Sequence, residues 1–578
     1  MSSRPPRSHG NTAQIKRYLR QPSSFSYLRL DPYALEADHW ELQSSQVLGA
    51  IADLEYLNYV LEGRMKEYRS IDGDIQECIT SLWPTLLLWL DFLHPVHHAQ
   101  DRKERVPLET LCRTIFYFFS TPDLVTYLRS TTPSLHNMLL LLWLRFDEYR
   151  NANCDAYQCI NGLASSVRMS MWIKDKSFAE NINSPEAMSN YPTAIAQNLH
   201  PHFLPAALGA VKDRPRRLLH QMLKQTRLLI DLTLARKPSY LDDVNNHCIA
   251  VAEFSNELLP LDTQAKDVVE GWVELLRSIR GIPNLRVIAI TVCSVLHGMW
   301  RSSVDGRPLA WAIRRDVMQS ILWLDSQAHN GQLTGSMRLI TTHGDHVCVV
   351  RALAKKEVSF VGTGLGESVE EQERIDQWVR KRAALIRRLY KVRCARGVEC
   401  PNPGRLCRYR CVCFSAFYCG EKCQQNDWPS HQPYCLNGRE RPRYRLERGT
   451  ITPRDERYVV AFASEFIQDH AQTIVVAILG ARKRAPPVGP AVELVINVMD
   501  VVPKAIVNAR REEHSAENED IIPVFASIST GGSSARMELT RTTLAELQEK
   551  ARPRLAEGYD ARGIEYLIHK PVTVFRKF

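Results

Sequence analysis

The sequence predicts a mainly α protein. A large helical N-terminal region is followed by a small cysteine-rich module and a small α+β C-terminal domain. Three observations predict this. Apolar residues recur at helical spacing from about residue 40 to 390. Eight of the fifteen cysteines fall within 42 residues, from Cys394 to Cys435. Short β-like runs follow after residue 490. With 578 residues, 44% of them hydrophobic and 24% charged, the chain can bury a large core, which excludes wholesale disorder and collagen-like structure. The longest apolar run, Met138 to Leu144, is seven residues. A membrane-spanning helix needs about 20, so no span is expected. The first ten residues, MSSRPPRSHG, lack the apolar centre of a signal peptide, so an intracellular protein is expected.

Residues 1–35 are rich in Ser, Pro and Arg and read as a disordered or loosely attached arm. Residues 36–390 read as helical. Leu135, Met138, Leu139, Leu142 and Phe146 share one helical face, as do Leu219, Met222, Leu223, Ile230 and Leu234. Ile375, Trp378, Val379, Ile386 and Leu389 continue the pattern up to the cysteines. Many helices with short connections suggest an α-solenoid or an irregular helical domain, although no clean repeat period is visible. The cysteine module spans 391–436, and a basic linker covers 437–450. Residues 451–578 then read as α+β. Val492 to Val498, Val524 to Ile528 and Tyr566 to Ile568 are the strand-like runs, and Thr542 to Arg552 is helix-like.

The eight clustered cysteines are joined by His431 in the pattern Cys394-x5-Cys400-x6-Cys407-x3-Cys411-x1-Cys413-x5-Cys419-x3-Cys423-x7-His431-x3-Cys435. Dense thiols in a reducing compartment point to metal rather than disulfides. Zinc takes four tetrahedral ligands from Cys sulfur and His nitrogen, so these nine residues can fill two sites with one to spare. The Cys419/Cys423 and His431/Cys435 pairs have one-turn spacing, which puts each pair on one helical face. So short a piece cannot bury enough surface to fold alone, and structural zinc supplies about 10 kcal/mol per site. Catalytic zinc needs an open position, which two filled sites lack.

The run Tyr418-Cys419-Gly420-Glu421-Lys422-Cys423-Gln424-Gln425-Asn426-Asp427-Trp428-Pro429-Ser430-His431-Gln432-Pro433-Tyr434-Cys435 resembles the second half of a MYND-type zinc finger. It meets every position of that family's YC-x3-CQ-x2-DW-x2-H-x3-C pattern. The resemblance covers about 42 residues and implies two structural zinc ions per chain. One would be held by Cys394, Cys400, Cys419 and Cys423. The other would be held by Cys413, His431, Cys435 and one more thiolate. The first half departs from the family, whose third and fourth ligands form C-x2-C. Cys413 stands where the fourth belongs, and the third is Cys411, with Cys407 as the alternative. The resemblance also implies protein ligands, proline-containing peptides among them, in a groove beside Gln424 and Trp428. An extended proline segment against an aromatic face suits that chemistry. The expected function is an adaptor or scaffold, with transcriptional regulation as one use.

Other readings are weaker. Between Arg380 and Arg410 lie eleven Lys or Arg and one acid, Glu399, a surplus equal to the whole net charge of +10. Charge density alone permits nucleic-acid binding there, but thiolate compensation is the plainer reading. Some MYND-bearing proteins are SET-type lysine methyltransferases. Here Asn246-His247-Cys248 only echoes their motif, in a helical context ahead of the finger. No catalytic constellation emerges, and no enzyme is expected. Gly362, Gly364 and Gly366 read as a flexible connection rather than a phosphate loop. His94, His97 and His98 read as a helix-ending loop, and Cys154 and Cys159 as core thiols.

Overall fold

The computed structural model describes residues 12–21, 23–35, 42, 44–66, 73–98, 106–120, 133–150, 154–171, 203–236, 241–257, 265–303, 305–328, 333–359, 369–390, 394–402, 407, 409–411, 416–440, 445–446, 449–450, 453–484, 491–499, 504–510, 521–530 and 533–551. The glycines at 362, 364 and 366 and the run 566–568 lie outside the described residues. The chain divides into two compact units. One is residues 1–260 with 281–295, and the other is 261–280 with 296–578. The architecture is mainly α, with a small finger and a small sheet near the C-terminus. No helix among the described residues is long and apolar enough to cross a membrane.

The first unit contains α1 (Thr12–Leu19), α2 (Ser45–Lys66), α3 (Gly73–Phe92), α4 (Leu108–Ser120), α5 (Pro133–Leu144), α6 (Phe146–Tyr149), α7 (Ala156–Met171), α8 (Phe203–Ala210), α9 (Pro215–Arg236), α10 (Leu241–Glu257) and the start of α12 (Arg286–Arg301). Helices α2, α4, α7 and α10 form a row in which each packs on the next, while α5 packs against α7, α8 and α9. The helices range from four to 22 residues, so the row is built from unequal pieces.

Three details depart from the expected pattern. Within the segment read as an arm, residues 12–35 carry α1 and bury Tyr18, Leu19, Phe25 and Leu28. These residues lack a period, because a turn rather than a long helix delivers them. The face ending at Phe146 is broken at Arg145, and Phe146 starts a new short helix with its ring still buried. Leu234 is exposed and Thr233 takes its place inside. At 100° per residue Leu234 has drifted about 60° from Leu219, and Thr233 only about 40°.

Among the described residues, His247, His94, His97 and His98 have packing or helix-end roles. His247 is buried, with Nδ1 accepting from the Trp143 indole N–H at 3.3 Å and Nε2 3.1 Å from Thr226 Oγ1. Burial lowers its pKa to about 3, so the ring is neutral. Thus the Asn246-His247-Cys248 echo lies in a packed core. His94 Nδ1 accepts from the Val96 N–H, His97 reaches Asp91, and His98 reaches the Phe92 carbonyl. Each ring has its own partner, and together they close the end of α3.

The second unit contains α11 (Lys266–Ile279), the end of α12, α13 (Arg307–Arg314), α14 (Val317–Ala328), α15 (Thr334–Thr342), α16 (Val347–Lys356) and α17 (Val369–Tyr390). The finger follows, and then α19 (Pro453–Arg484), a four-stranded sheet and α20 (Leu544–Ala551). In the sheet, β5 (Ala491–Asn497) runs antiparallel to β6 (Lys504–Arg510) and parallel to β7 (Ile521–Thr530). Strand β7 pairs antiparallel with β8 (Ser533–Thr543), with a register shift at Val524/Phe525. A reciprocal cap starts α20: Glu546 N–H donates to Thr543 Oγ1, and the Glu546 carboxylate accepts from Thr543 N–H.

One hydrophobic core unites both sides of the finger. Val347 and Val350 of α16 and Ala383, Leu385 and Ile386 of α17 pack with Tyr458, Phe466 and Ile478 of α19 and with Leu494, Ile496 and Val524 of the sheet. In sequence, therefore, the finger is inserted between two halves of one core.

A polar knot sits beside this core. The Arg382 guanidinium is buried between the Trp378 and Phe462 rings, at 4.7 and 4.2 Å from their centroids. It donates to the Gly344 carbonyl, the Tyr458 hydroxyl and the Val498 carbonyl. A Cβ at Gly344 would overlap the Trp378 ring, so glycine is required there. Next to it, buried His346 has Asp345 and Asp455 carboxylate oxygens 3.7 Å from Nε2 and Nδ1. Burial pulls its pKa down, but these carboxylates and Asp305 outweigh it and push it up to about 9. Neighbouring His343 goes the other way, to about 3, through burial and the His346 charge.

A pH dependence follows. The His346 contribution is fully present below the unfolded histidine value of about 6.5 and is lost as pH rises toward 9. The melting temperature should therefore fall across that window, and His346→Gln should flatten the fall. A melting series from pH 6 to 9.5 on both proteins checks this. An equal alkaline fall in the variant contradicts it.

Candidate metal centre

The finger is assembled from a knuckle, a hairpin and the start of a helix. Cys394 opens a turn in which Gly397 N–H donates to the Cys394 carbonyl at 2.8 Å. Gly397 adopts φ +54°, a left-handed conformation that favours glycine. Cys400 follows a short 3₁₀ turn, Gly397–Glu399. The two-residue strands β1 (Tyr409–Arg410) and β2 (Phe417–Tyr418) pair antiparallel, and β2 delivers Cys419. Ala395 N–H donates to the Phe417 carbonyl at 2.7 Å, which ties the knuckle to the hairpin. The helix α18 (Glu421–Glu440) starts at once and places Cys423 in its first turn. A short hairpin, β3 (Arg445–Leu446) with β4 (Gly449–Thr450), lies in the segment read as a basic linker.

This framework brings Cys394, Cys400, Cys419 and Cys423 together, all buried, with their sulfurs mutually within 4.8 Å. Cys400 Sγ lies 3.3 Å from Cys419 Sγ and 3.9 Å from Cys423 Sγ, and the last two are 3.5 Å apart. A disulfide would need about 2.05 Å. Four tetrahedral bonds of about 2.3 Å to zinc place sulfurs about 3.8 Å apart. The spacing, the all-sulfur donor set and the burial fit a structural zinc ion. Such an ion would hold the knuckle, the hairpin and the helix start as one body.

The surroundings act differently on the four thiols: the contact with Cys400 and burial push Cys419 up, and burial with the neighbouring thiols pushes Cys423 up to about 12. Burial pushes the Cys394 thiol up, but hydrogen bonds from the backbone N–H groups of Cys419 and Arg396 outweigh it and hold it below the usual thiol range. Asn402 N–H points at Cys400 Sγ at 3.4 Å. The N-terminal end of α18 adds its positive dipole beside Cys419 and Cys423. Arg396, held by Glu399 at 2.9 Å, feels the charge of Cys423 and Asp427.

The remaining candidates are placed as follows. Cys411 is buried directly after β1, and its N–H donates to the Ala416 carbonyl. Cys407 is half-buried and packs against the four-cysteine cluster. His431 is half-buried on α18, its ring 6.1 Å from that of Trp428. Cys413 and the Cys435 side chain lie outside the described residues. Gln424 and Trp428 stand one turn apart on α18, Gln424 half-buried and Trp428 36% exposed.

Two further residues of the run have a clear role. The fully buried Tyr418 donates its hydroxyl to Asp427 Oδ2 at 2.7 Å, which locks the hairpin onto the helix. This accounts for an Asp four residues beyond the second ligand of the pair.

Residues 393–435 match the MYND finger family. MYND fingers bind zinc and mediate protein interactions, and the four-cysteine group lies within the matched segment. Compared with curated proteins and with solved structures, the chain matches none.

The basic run beside the MYND finger carries less unpaired charge than the sequence implies. Arg382 is buried in the polar knot, Arg388 pairs with Glu465 at 2.7 Å, and Arg396 pairs with Glu399. Sequence reasoning counted Arg382 as patch charge. Its only distinguishing signal was the flanking Trp378 and Ile386 at helical spacing.

Proposed function

We propose that the chain is an intracellular adaptor or scaffold whose MYND finger, organised by two structural zinc ions, grips protein partners beside Gln424 and Trp428. The observation that carries this reading is Trp428. A large aromatic ring is 36% exposed on a helix whose start is held by the four-cysteine cluster. Exposed aromatics on rigid supports are the residues that dominate binding energy at interfaces. Gln424, one turn earlier, supplies an amide for a peptide backbone. Proline-containing segments suit the site, because they are extended before binding and lose little entropy.

The second ion belongs, in this proposal, to Cys411, Cys413, His431 and Cys435, with Cys407 as the alternative to Cys411. It would hold α18 beyond its first turn and thereby set the orientation of Trp428. Residues outside the finger, including the α2–α4–α7–α10 row, would present further surfaces of the scaffold.

Trp428→Ala should leave zinc content and melting temperature near wild type and weaken partner capture by at least about tenfold, the scale of an interface hot spot. Affinity capture with immobilised proline-containing peptide libraries, wild type against variant, measures this. Equal capture by both proteins would sink the groove. A variant that also loses zinc would show Trp428 to be a core residue instead.

A further inference from the structure

Residues 23–34, in the segment that reads as a loose arm, cross α2 and α3 as a strap fastened at four points. On α2, the Asp53 carboxylate accepts from the Tyr27 N–H at 3.0 Å. Gly49 lets the Tyr27 ring approach so closely that a Cβ there would lie 2.6 Å from it. On α3, the Trp89 indole N–H donates to the Leu30 carbonyl at 2.9 Å, and the Tyr33 hydroxyl donates to Asp91 at 2.6 Å. Two features make this docking conditional. The fully buried Phe25 has φ +53°, a left-handed conformation that a bulky residue keeps only under constraint from its surroundings. Asp53 is 6% exposed, and backbone N–H groups meet its carboxylate with no cation beside it among the described residues. A buried carboxylate without a counter-charge favours its protonated form.

We propose that residues 23–34 are a proton-operated strap, which seats on α2 and α3 when Asp53 is protonated and loosens when Asp53 is ionised. Burial pushes the Asp53 carboxyl up to about 6, against the pull of the Tyr27 and Leu28 N–H groups. Once released into water, the carboxyl returns to its usual value of about 3.9. The released state therefore binds fewer protons between these two values. Docking weakens as pH rises through that window and stays weak above it. From pH 5 to pH 7.5 the released fraction should rise about tenfold. The other groups at this corner do not titrate there: burial raises the pKa values of Tyr18 on α1, Tyr56 on α2 and Cys78 on α3. Arg29, the strap's one cation, donates to the Ser24 carbonyl at 3.1 Å. Toward α4, Glu55 meets Thr110 and Glu62 pairs with Arg113, on the opposite face of α2 from Asp53. At the far end of the strap, His97 lies 3.2 Å from Asp91.

Hydrogen exchange of the full chain, read by mass on peptides covering residues 23–34 and corrected for the intrinsic rate at each pH, tests this. Peptides from α4 and α7 report global opening. In the wild type, strap protection should fall about tenfold from pH 5 to pH 7.5 while α4 and α7 keep theirs. Asp53→Asn keeps an acceptor for the Tyr27 N–H but cannot ionise, so its strap protection should hold at both pH values. Gly49→Ala drives a methyl group into the Tyr27 ring and should lower strap protection at both. Equal wild-type protection at pH 5 and pH 7.5 would overturn the proposal. So would a loss only in step with α4 and α7, or unchanged protection in Gly49→Ala. An equal fall in Asp53→Asn would assign the effect to His97 and overturn it too.

Discussion

Cys423→Ser removes one zinc ion per chain and unfolds the MYND finger, while the surrounding core survives. Serine is a poor zinc ligand, and three thiolates cannot close a structural site. The stabilisation at stake is on the order of 10 kcal/mol, far more than a 42-residue module can gain from packing. Within the described residues, the module's own core consists largely of its cysteines with Ala416 and Tyr418. Without zinc, the sulfur contacts that hold the knuckle to the helix have no reason to form. The flanking elements α16, α17, α19 and the sheet have an apolar core of their own. Limited trypsin digestion should therefore cut between residues 394 and 435 in the variant first and leave the flanks intact. Wild-type zinc content in Cys423→Ser would refute the ligand assignment.

Arg382→Met lowers the stability of the second unit by about 3 kcal/mol or more. The guanidinium donates to two carbonyls and a hydroxyl and fills the slot between two aromatic rings. Methionine fills the slot but removes three charge-assisted bonds and leaves the Val498 carbonyl without that donor, an unmet buried group costing about 1–3 kcal/mol, while Gly344 keeps its bond from the Tyr458 hydroxyl. Arg382→Lys should recover only part of the loss, since one ammonium lacks the planar fork that faces both rings and several acceptors. Denaturant midpoints for the three proteins measure this. A loss below about 1 kcal/mol in Arg382→Met would mean that the knot contributes little.

The legible parts of the sequence were those with a strong period or strict spacing. Ile375, Trp378, Val379 and Ile386 read as one face and are buried together. Cys394, Cys400, Cys419 and Cys423 were grouped as one ligand set by the family resemblance, and the fold brings those four sulfurs together. The strands β5 and β7 were visible as apolar runs, and α20 as a helix.

What was hidden depends on contacts distant in sequence. Arg382 reads as one more charge in a basic run, because its partners Gly344, Tyr458 and Val498 lie 38, 76 and 116 residues away. Phe25 and Leu28 were lost in a Ser- and Pro-rich stretch, where a turn buries them without any period. The role of Tyr418 was visible only as a pattern letter until its hydroxyl was found on Asp427.

The central claim is that zinc organises the MYND finger on which the proposed recognition depends. The most direct measurement is the zinc-to-protein ratio of the purified full chain, together with those of Cys411→Ser and Cys407→Ser. The account predicts a ratio near two, lowered to near one by Cys411→Ser and unchanged by Cys407→Ser. A wild-type ratio near zero, with the cysteines between 394 and 435 freely alkylated, would contradict it.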